Sequence, residues 1–234
     1  MFHSTSIPVP APLAGLPWSQ QTLYRGAEIF NEGQLVESVY YLESGLVKLS
    51  RKWDGPQRPL IVRLVCPGEL VGDRPLQAGP LHSHTAEVLA TSRCASLPLE
   101  DFQRIASQSA DVLFWITCQV EQRLVDAERR VALIAFARVE LRLLSLLADI
   151  AGMHGAHPGM LEPVNIPISQ ADLAQLAGAT RETASTILNA FERRGLLRLG
   201  RRQIEVISLE ALRRAVQDEQ QAAPGKDRAK GAHA

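Results

Sequence analysis

Residues 169–195 read Ser-Gln-Ala-Asp-Leu-Ala-Gln-Leu-Ala-Gly-Ala-Thr-Arg-Glu-Thr-Ala-Ser-Thr-Ile-Leu-Asn-Ala-Phe-Glu-Arg-Arg-Gly, and two short helices joined by a tight turn account for the pattern. Ser169 stands where a helix is capped, with Asp172 three residues on in a capping box that uses aspartate. Leu173, Leu176 and Ala177 supply one buried face, and Gly178-Ala179-Thr180 is the turn, with Thr180 able to cap the next helix. That second helix is expected from Arg181 to Arg194, stopped by Gly195. Its inner stripe is Ala184, Ile187, Leu188 and Phe191, which leaves Arg181, Glu182, Ser185, Thr186 and Asn189 on the outer face.

That outer face carries chemistry suited to a DNA major groove. Arginine offers two parallel donors to guanine O6 and N7, and glutamate accepts from the cytosine N4 amine. Arg181, Glu182 and Ser185, with Thr186 in a weaker role, are the expected base readers. Ser169, Gln170 and Thr180 lie where hydroxyls, an amide and helix N-termini meet phosphate oxygens. Next come Leu196-Leu197-Arg198-Leu199, Gly200-Arg201-Arg202 and Gln203 to Ile207, two short strands around a basic turn. Such a wing would lay Arg201 and Arg202 against the DNA backbone. The formal net charge is zero, yet residues 181–214 hold eight arginines against four acids, so the basic footprint is local.

N-terminal to this motif, residues 99–151 contain neither proline nor glycine and have helical periodicity. Leu113, Ile116, Val120, Leu124, Ala127, Val131 and Ile134 step by three or four, an apolar stripe like a coiled-coil seam and the expected homodimer interface. Packing against the chain's own β half is the alternative, and one face can serve both. Ala135-Phe136-Ala137 reads as a hinge before a helix from about Arg138 to Ala151, and Gly152 to Pro163 as a turn-rich connection. From Gln20 to Leu99 short apolar runs are cut by glycine, proline and acids, as in antiparallel strands of a roll. Val39–Leu42 and Leu46–Leu49 flank Glu43-Ser44-Gly45, Asp54-Gly55 precedes the run Leu60–Val65, and Pro67-Gly68-Glu69-Leu70 ends it. The fold class is α+β: a flexible tail over 1–17, a β-roll over 18–108, a dimerisation helix and hinge over 109–137, a winged helix-turn-helix over 138–217 and a disordered tail over 218–234.

A composition of 46% hydrophobic and 21% charged residues is that of a globular chain. No apolar run is long enough for a spanning helix, and the four prolines of the first seventeen residues do not make a secretory signal, so a cytoplasmic location away from membranes is expected. Cys66, Cys94 and Cys118 are odd in number, far apart and set among apolar neighbours, which reads as buried thiols and not as a disulfide or zinc framework. Neither a catalytic triad nor a phosphate-binding glycine loop is present, and no cofactor or enzyme activity is expected.

In order and in motifs the chain resembles the Crp-Fnr family of bacterial transcription regulators. The likeness runs through the β-roll with Pro67-Gly68-Glu69-Leu70, the long central helix, and Ile168-Ser169-Gln170 through Thr180-Arg181-Glu182-Thr183 to Ile204. It implies a sensory roll with its effector pocket at Gly68, Glu69, Leu70, Ser83 and His84. It also implies dimerisation on the central helix and promoter binding that recruits or blocks RNA polymerase. Two departures matter. Where one family member has a second reading arginine, Thr186 stands here, so the operator should differ. Where cyclic-nucleotide sensors place an arginine beside serine or threonine to hold the phosphate, Leu81-His82-Ser83-His84-Thr85 has no arginine, and a cyclic nucleotide is not expected. An N-terminal cysteine cluster for an iron-sulfur centre is also missing.

A metal-dependent, cupin-like roll enzyme with a DNA-binding-like tail is the alternative. His82 and His84 would face the same way on a strand and could share a metal. Glu87 has the wrong parity to join them, and the cupin glycine framework is missing. Two surface or loop histidines are the plainer reading.

Overall fold

The structure, a computed structural model, describes residues 8–52, 59–72, 75–77, 79, 81–153 and 162–222. The chain divides into two compact units between Val131 and Ala132.

The first unit opens with helix α1 (Ala11–Ala14), inside the segment expected to be a flexible tail. Leu13 explains the difference. Its side chain is fully buried among Val36, Leu97, Phe102 and Trp115, and the Trp18 indole N–H donates to its carbonyl at 2.8 Å. Burying one leucine contributes about 2 kcal/mol, enough to hold a turn started by Pro10 and Pro12. Residues 1–7 of that expected tail lie outside the described residues.

Strands β1 (Ser19–Leu23), β2 (Glu28–Phe30), β3 (Ser38–Arg51), β4 (Leu60–Val65), β5 (Leu70–Val71) and β6 (Thr85–Pro98) form one antiparallel sheet ordered β1-β6-β3-β4. In this sheet β2 pairs with β6, and β5 with β3. The long pair β3 and β6 runs from Ser38↔Pro98 to Ser50↔Thr85. Glu43-Ser44-Gly45, read from sequence as a break between two strands, is instead an irregularity inside β3, where the register shifts three times between Leu42 and Val47. Gly45 has φ +100°, and a Cβ there would come within 2.1 Å of Ser92 Oγ. The buried Ser92 hydroxyl accepts from Leu46 N at 3.2 Å and donates to Ala90 O at 2.7 Å. It thus satisfies backbone groups that the bulge takes out of the ladder. The Asp54-Gly55 turn lies outside the described residues.

The helical run after Pro98 is broken at Ser109. Helix α2 (Leu99–Gln108) ends on Ser109 in an extended conformation, and α3 (Ala110–Phe136) begins where the Ser109 hydroxyl accepts from Val112 N at 3.4 Å. Serine competes for backbone donors in this way, and periodicity alone does not register it. Val112, Trp115 and Ile116 enter the cluster around Leu13, Phe102 and Leu97. A second cluster, with Phe30, Leu42, Val47, Val65 and Val88, fills the interior of the roll.

In the second unit, α4 (Val139–Met153) follows a helix break at Ala137 and Arg138, beside the expected hinge. Its eight buried apolar residues cover all but the face that carries Arg142 and Asp149, so it is a core helix. Residues 154–161 of the expected connection lie outside the described residues. Strand β7 (Val164–Ile166), helices α5 (Gln170–Leu176) and α6 (Arg181–Arg193), strands β8 (Leu197–Gly200) and β9 (Gln203–Val206), and helix α7 (Leu209–Ala222) complete the unit. The sheet order is β7-β9-β8. β7 has no clear sequence signal because Pro163 and Pro167 bracket three residues that pair only at an edge. α7 crosses the expected boundary at 217/218, so the tail read as disordered from Asp218 is helical as far as Ala222. Leu209, Leu212 and Ala215 are buried, and α7 packs on α4. Residues 223–234 lie outside the described residues.

Candidate nucleic-acid interface

α5 and α6 owe their ends to two hydroxyls. Ser169 Oγ accepts from Asp172 N at 3.0 Å and donates to Asp172 Oδ2 at 2.5 Å. Thr180 Oγ1 accepts from Thr183 N at 3.2 Å. Gly178 between them has φ +60°, the left-handed conformation that ends α5 and that residues with a Cβ disfavour. Ala184, Leu188 and Phe191 are buried, which turns Arg181, Glu182, Thr186 and Asn189 outward and exposed and leaves Ser185 half-buried. The Thr186 hydroxyl donates back to Glu182 O at 3.0 Å, so its outward chemistry is carried mostly by the methyl group. Gln170, in the first turn of α5, is half-buried.

The far end of α6 is tied to the wing, where Glu192 Oε1 accepts from Leu199 N at 2.8 Å. β8 and β9 pair from Leu197↔Val206 to Gly200↔Gln203, so Arg201 and Arg202 form the tip. Both are exposed, and Arg202 holds φ +62°. Of the eight arginines, Arg194 pairs with Glu140 at 3.3 Å, Arg198 with Glu205 at 2.9 Å, and Arg214 with Glu210. Arg181 at the start of α6 and Arg201 and Arg202 at the wing tip are exposed, at the positions expected to meet bases and backbone.

On α3 the expected stripe separates. Leu113, Val120, Leu124, Val131 and Ile134 are between 41% and 67% exposed, and Ala127 is exposed too. Ile116, at 4%, is corrected: it belongs to the core of the roll, because Val112 and Trp115 turn that part of the helix inward. A second face of α3 is polar and bound to the roll. Gln119 Oε1 accepts from Leu70 N at 2.9 Å, Arg123 donates to the carbonyls of Gly72 and Leu70, and Arg130 to those of Ile61 and Val62. Guanidinium forks donating to carbonyls at the roll's edge hold this face.

The expected effector residues lie on two stretches of the roll, 68–70 after β4 and 83–84 before β6. Gly68, with φ +94°, turns the chain after β4, and Glu69 follows with both oxygens engaged: Arg63 Nη2 donates to one at 2.5 Å and Cys66 N to the other at 2.8 Å. Leu70 is buried. Burial, with the nearby Glu69 charge, pushes the Cys66 thiol up to about 12, and burial raises the Asp126 carboxyl above its ordinary value. Ser83 Oγ and His84 Nδ1 are 2.8 Å apart.

His82 does not share a strand with His84, since β6 begins at Thr85. It is buried and stacked on Phe30, with ring centroids 3.6 Å apart and planes 4° apart, which removes both the same-face geometry and the surface reading of this histidine. Among the described residues no cluster of three or more histidine, cysteine or acidic side chains is arranged to hold a metal.

Residues 20–109 match the cyclic nucleotide-binding domain, and residues 138–215 match the Crp-like helix-turn-helix domain. The cyclic AMP receptor protein of Thermus thermophilus is 31% identical over 211 residues, 88% of this chain and 91% of that protein. The chain belongs to the Crp-Fnr family. The nitrogen fixation regulation protein FixK of Rhizobium meliloti is 28% identical, with 87% of this chain and 90% of that protein aligned. In three dimensions FixK2 of Bradyrhizobium japonicum superposes with a TM-score of 0.72 at 22% identity, covering 85% of this chain and 97% of that one. As a Crp-Fnr protein the chain is a DNA-binding transcription regulator and not an enzyme, which removes the metal-dependent roll enzyme. No described helix is long and apolar enough to cross a membrane.

Proposed function

We propose that this Crp-Fnr protein acts in the cytoplasm as a homodimer that binds an inverted-repeat promoter site and recruits or blocks RNA polymerase. Arg181, Glu182 and Ser185 read base edges, and Thr186 adds an apolar contact. Ser169, Gln170, Thr180, Arg201 and Arg202 lie along the sugar-phosphate backbone. The observation that carries this reading is the exposed Arg181-Glu182 pair in the first turn of a capped helix, with a cationic wing close behind it. The uncovered apolar line of α3 supports the dimer. Two-fold symmetry then sets half-site centres roughly 34 Å apart.

The regulator works without a cyclic nucleotide. Supporting this, Glu69 is already bound by Arg63 and by the Cys66 amide, and residues 81–85 supply no arginine for a cyclic phosphate. Adding cyclic AMP or cyclic GMP to purified protein should leave its affinity for a selected site unchanged. An increase of tenfold or more, about 1.4 kcal/mol, would refute independence from cyclic nucleotides. The base-reading assignment has its own test. Arg181→Ala should cost about 1–3 kcal/mol and relax preference at one base pair, and equal weakening on every sequence would remove it.

A further inference from the structure

The reading helix is held at both ends by the opening turns of α4. Before α6, Arg142 Nη1 donates to Ala177 O at 2.8 Å and reaches Gly178 O at 3.5 Å. These are carbonyls at the C-terminal end of α5, where the helix leaves acceptors unsatisfied and its dipole favours a cation. Ala177 is buried, so water does not readily replace the guanidinium. The fit is close: a Cβ on Gly178 would lie 3.4 Å from Arg142 Nη1. After α6, Glu140 pairs with Arg194 at 3.3 Å, and the Arg194 guanidinium also stands 5.8 Å from the centre of the Phe191 ring.

We infer that Arg142 is the positioning residue for base reading: it fixes the Ala177-Gly178 turn on α4 and thereby sets the approach of Arg181 and Glu182 to the groove. Glu140 plays the lesser part, since its pair with Arg194 is partly exposed. Arg142 contacts no DNA itself. Three bonded steps separate it from the reading pair: Arg142 to the turn, the turn to Thr180, and Thr180 Oγ1 to Thr183 N inside the first turn of α6. Base-edge hydrogen bonds weaken steeply with misalignment, whereas phosphate contacts tolerate small displacements. Loss of Arg142 should therefore lower the ratio of specific to non-specific affinity and leave non-specific affinity in place.

This inference rests on the base-reading proposal, and one experiment separates the two. Full-length wild type, Arg142→Met and Arg142→Lys are titrated, at one salt concentration, with a duplex selected from random DNA by the wild type and with a scrambled duplex of equal length. The expected result for Arg142→Met is about a tenfold fall in the specific-to-non-specific ratio with non-specific affinity kept within about twofold. Arg142→Lys keeps the charge and one donor, so its ratio should fall between wild type and Met. If Arg142→Met no longer melts cooperatively, Arg142→Lys decides, and an unchanged Lys ratio overturns the inference. So does an unchanged Met ratio, or a parallel fall in both affinities that tracks the folded fraction. A wild type with no preference between duplexes overturns the base-reading proposal and this inference together.

Discussion

Single atoms place the reading face. The Thr180 hydroxyl is the acceptor that starts α6 at Arg181, so Thr180→Ala should cost about 1 kcal/mol of stability, measured by denaturant unfolding, and weaken binding to a selected site. A Thr180→Ala protein with unchanged stability would mean that the cap is dispensable. Gly45 is a stricter case. Its φ of +100° and the 2.1 Å approach of any Cβ to Ser92 Oγ require both strands to move, so Gly45→Ala should destabilise the roll by about 3 kcal/mol or more. Cys66 gives a pH signature. Its folded-state thiol is raised from 9.0 to about 12, so the native state binds its proton more tightly than the unfolded chain does. That contribution is fully present below pH 9.0 and is lost as pH rises toward about 12. Unfolding at increasing alkaline pH should therefore show a falling stability that Cys66→Ala makes shallower, and an identical slope in both proteins would contradict the assignment.

At the level of elements, α3 has two faces with different chemistry. Arg123, Arg130 and Gln119 fasten one to roll backbone, and the other presents Leu113, Val120, Leu124, Val131 and Ile134 uncovered. Leu124→Glu would place a charge in the middle of the uncovered face. It should yield monomers by sedimentation while leaving melting of the roll nearly unchanged, and an unaltered dimer would move the interface elsewhere. Much of this architecture is legible in the sequence. Capping residues and a 3.6-residue period fix α5 and α6, and strong alternation with a basic turn fixes β8 and β9. Other elements are not legible, for physical reasons. Ile116 keeps the stripe's spacing, and only Trp115 and Val112 packing into the roll show which surface buries it. Gly45 reads as a turn until Ser92, forty-seven residues away, is seen beneath it. α7 is polar over most of its length, and three buried residues against α4 decide it. At the site, Arg142 has no local signal at all, because its partners lie thirty-five residues on in the backbone of another helix.

Across the full chain, three features that are separate in sequence combine in the proposed function. They are a roll whose Glu69 is satisfied by its own neighbours, a central helix with an uncovered apolar line, and a winged unit with exposed arginines at the wing tip and the start of α6. Zero net charge across 234 residues is compatible with DNA binding because arginines outnumber acids eight to four over residues 181–214, so the excess is local. Everything turns on two-fold base reading from Arg181, and the decisive measurement is selection of bound sites from random DNA with wild type and Arg181→Ala. The expected product is an inverted repeat with half-site centres roughly 34 Å apart for the wild type, and for the variant the same repeat with preference relaxed at one symmetry-related base pair in each half. No enriched repeat, or an Arg181→Ala protein that binds every sequence more weakly by the same factor, would contradict it.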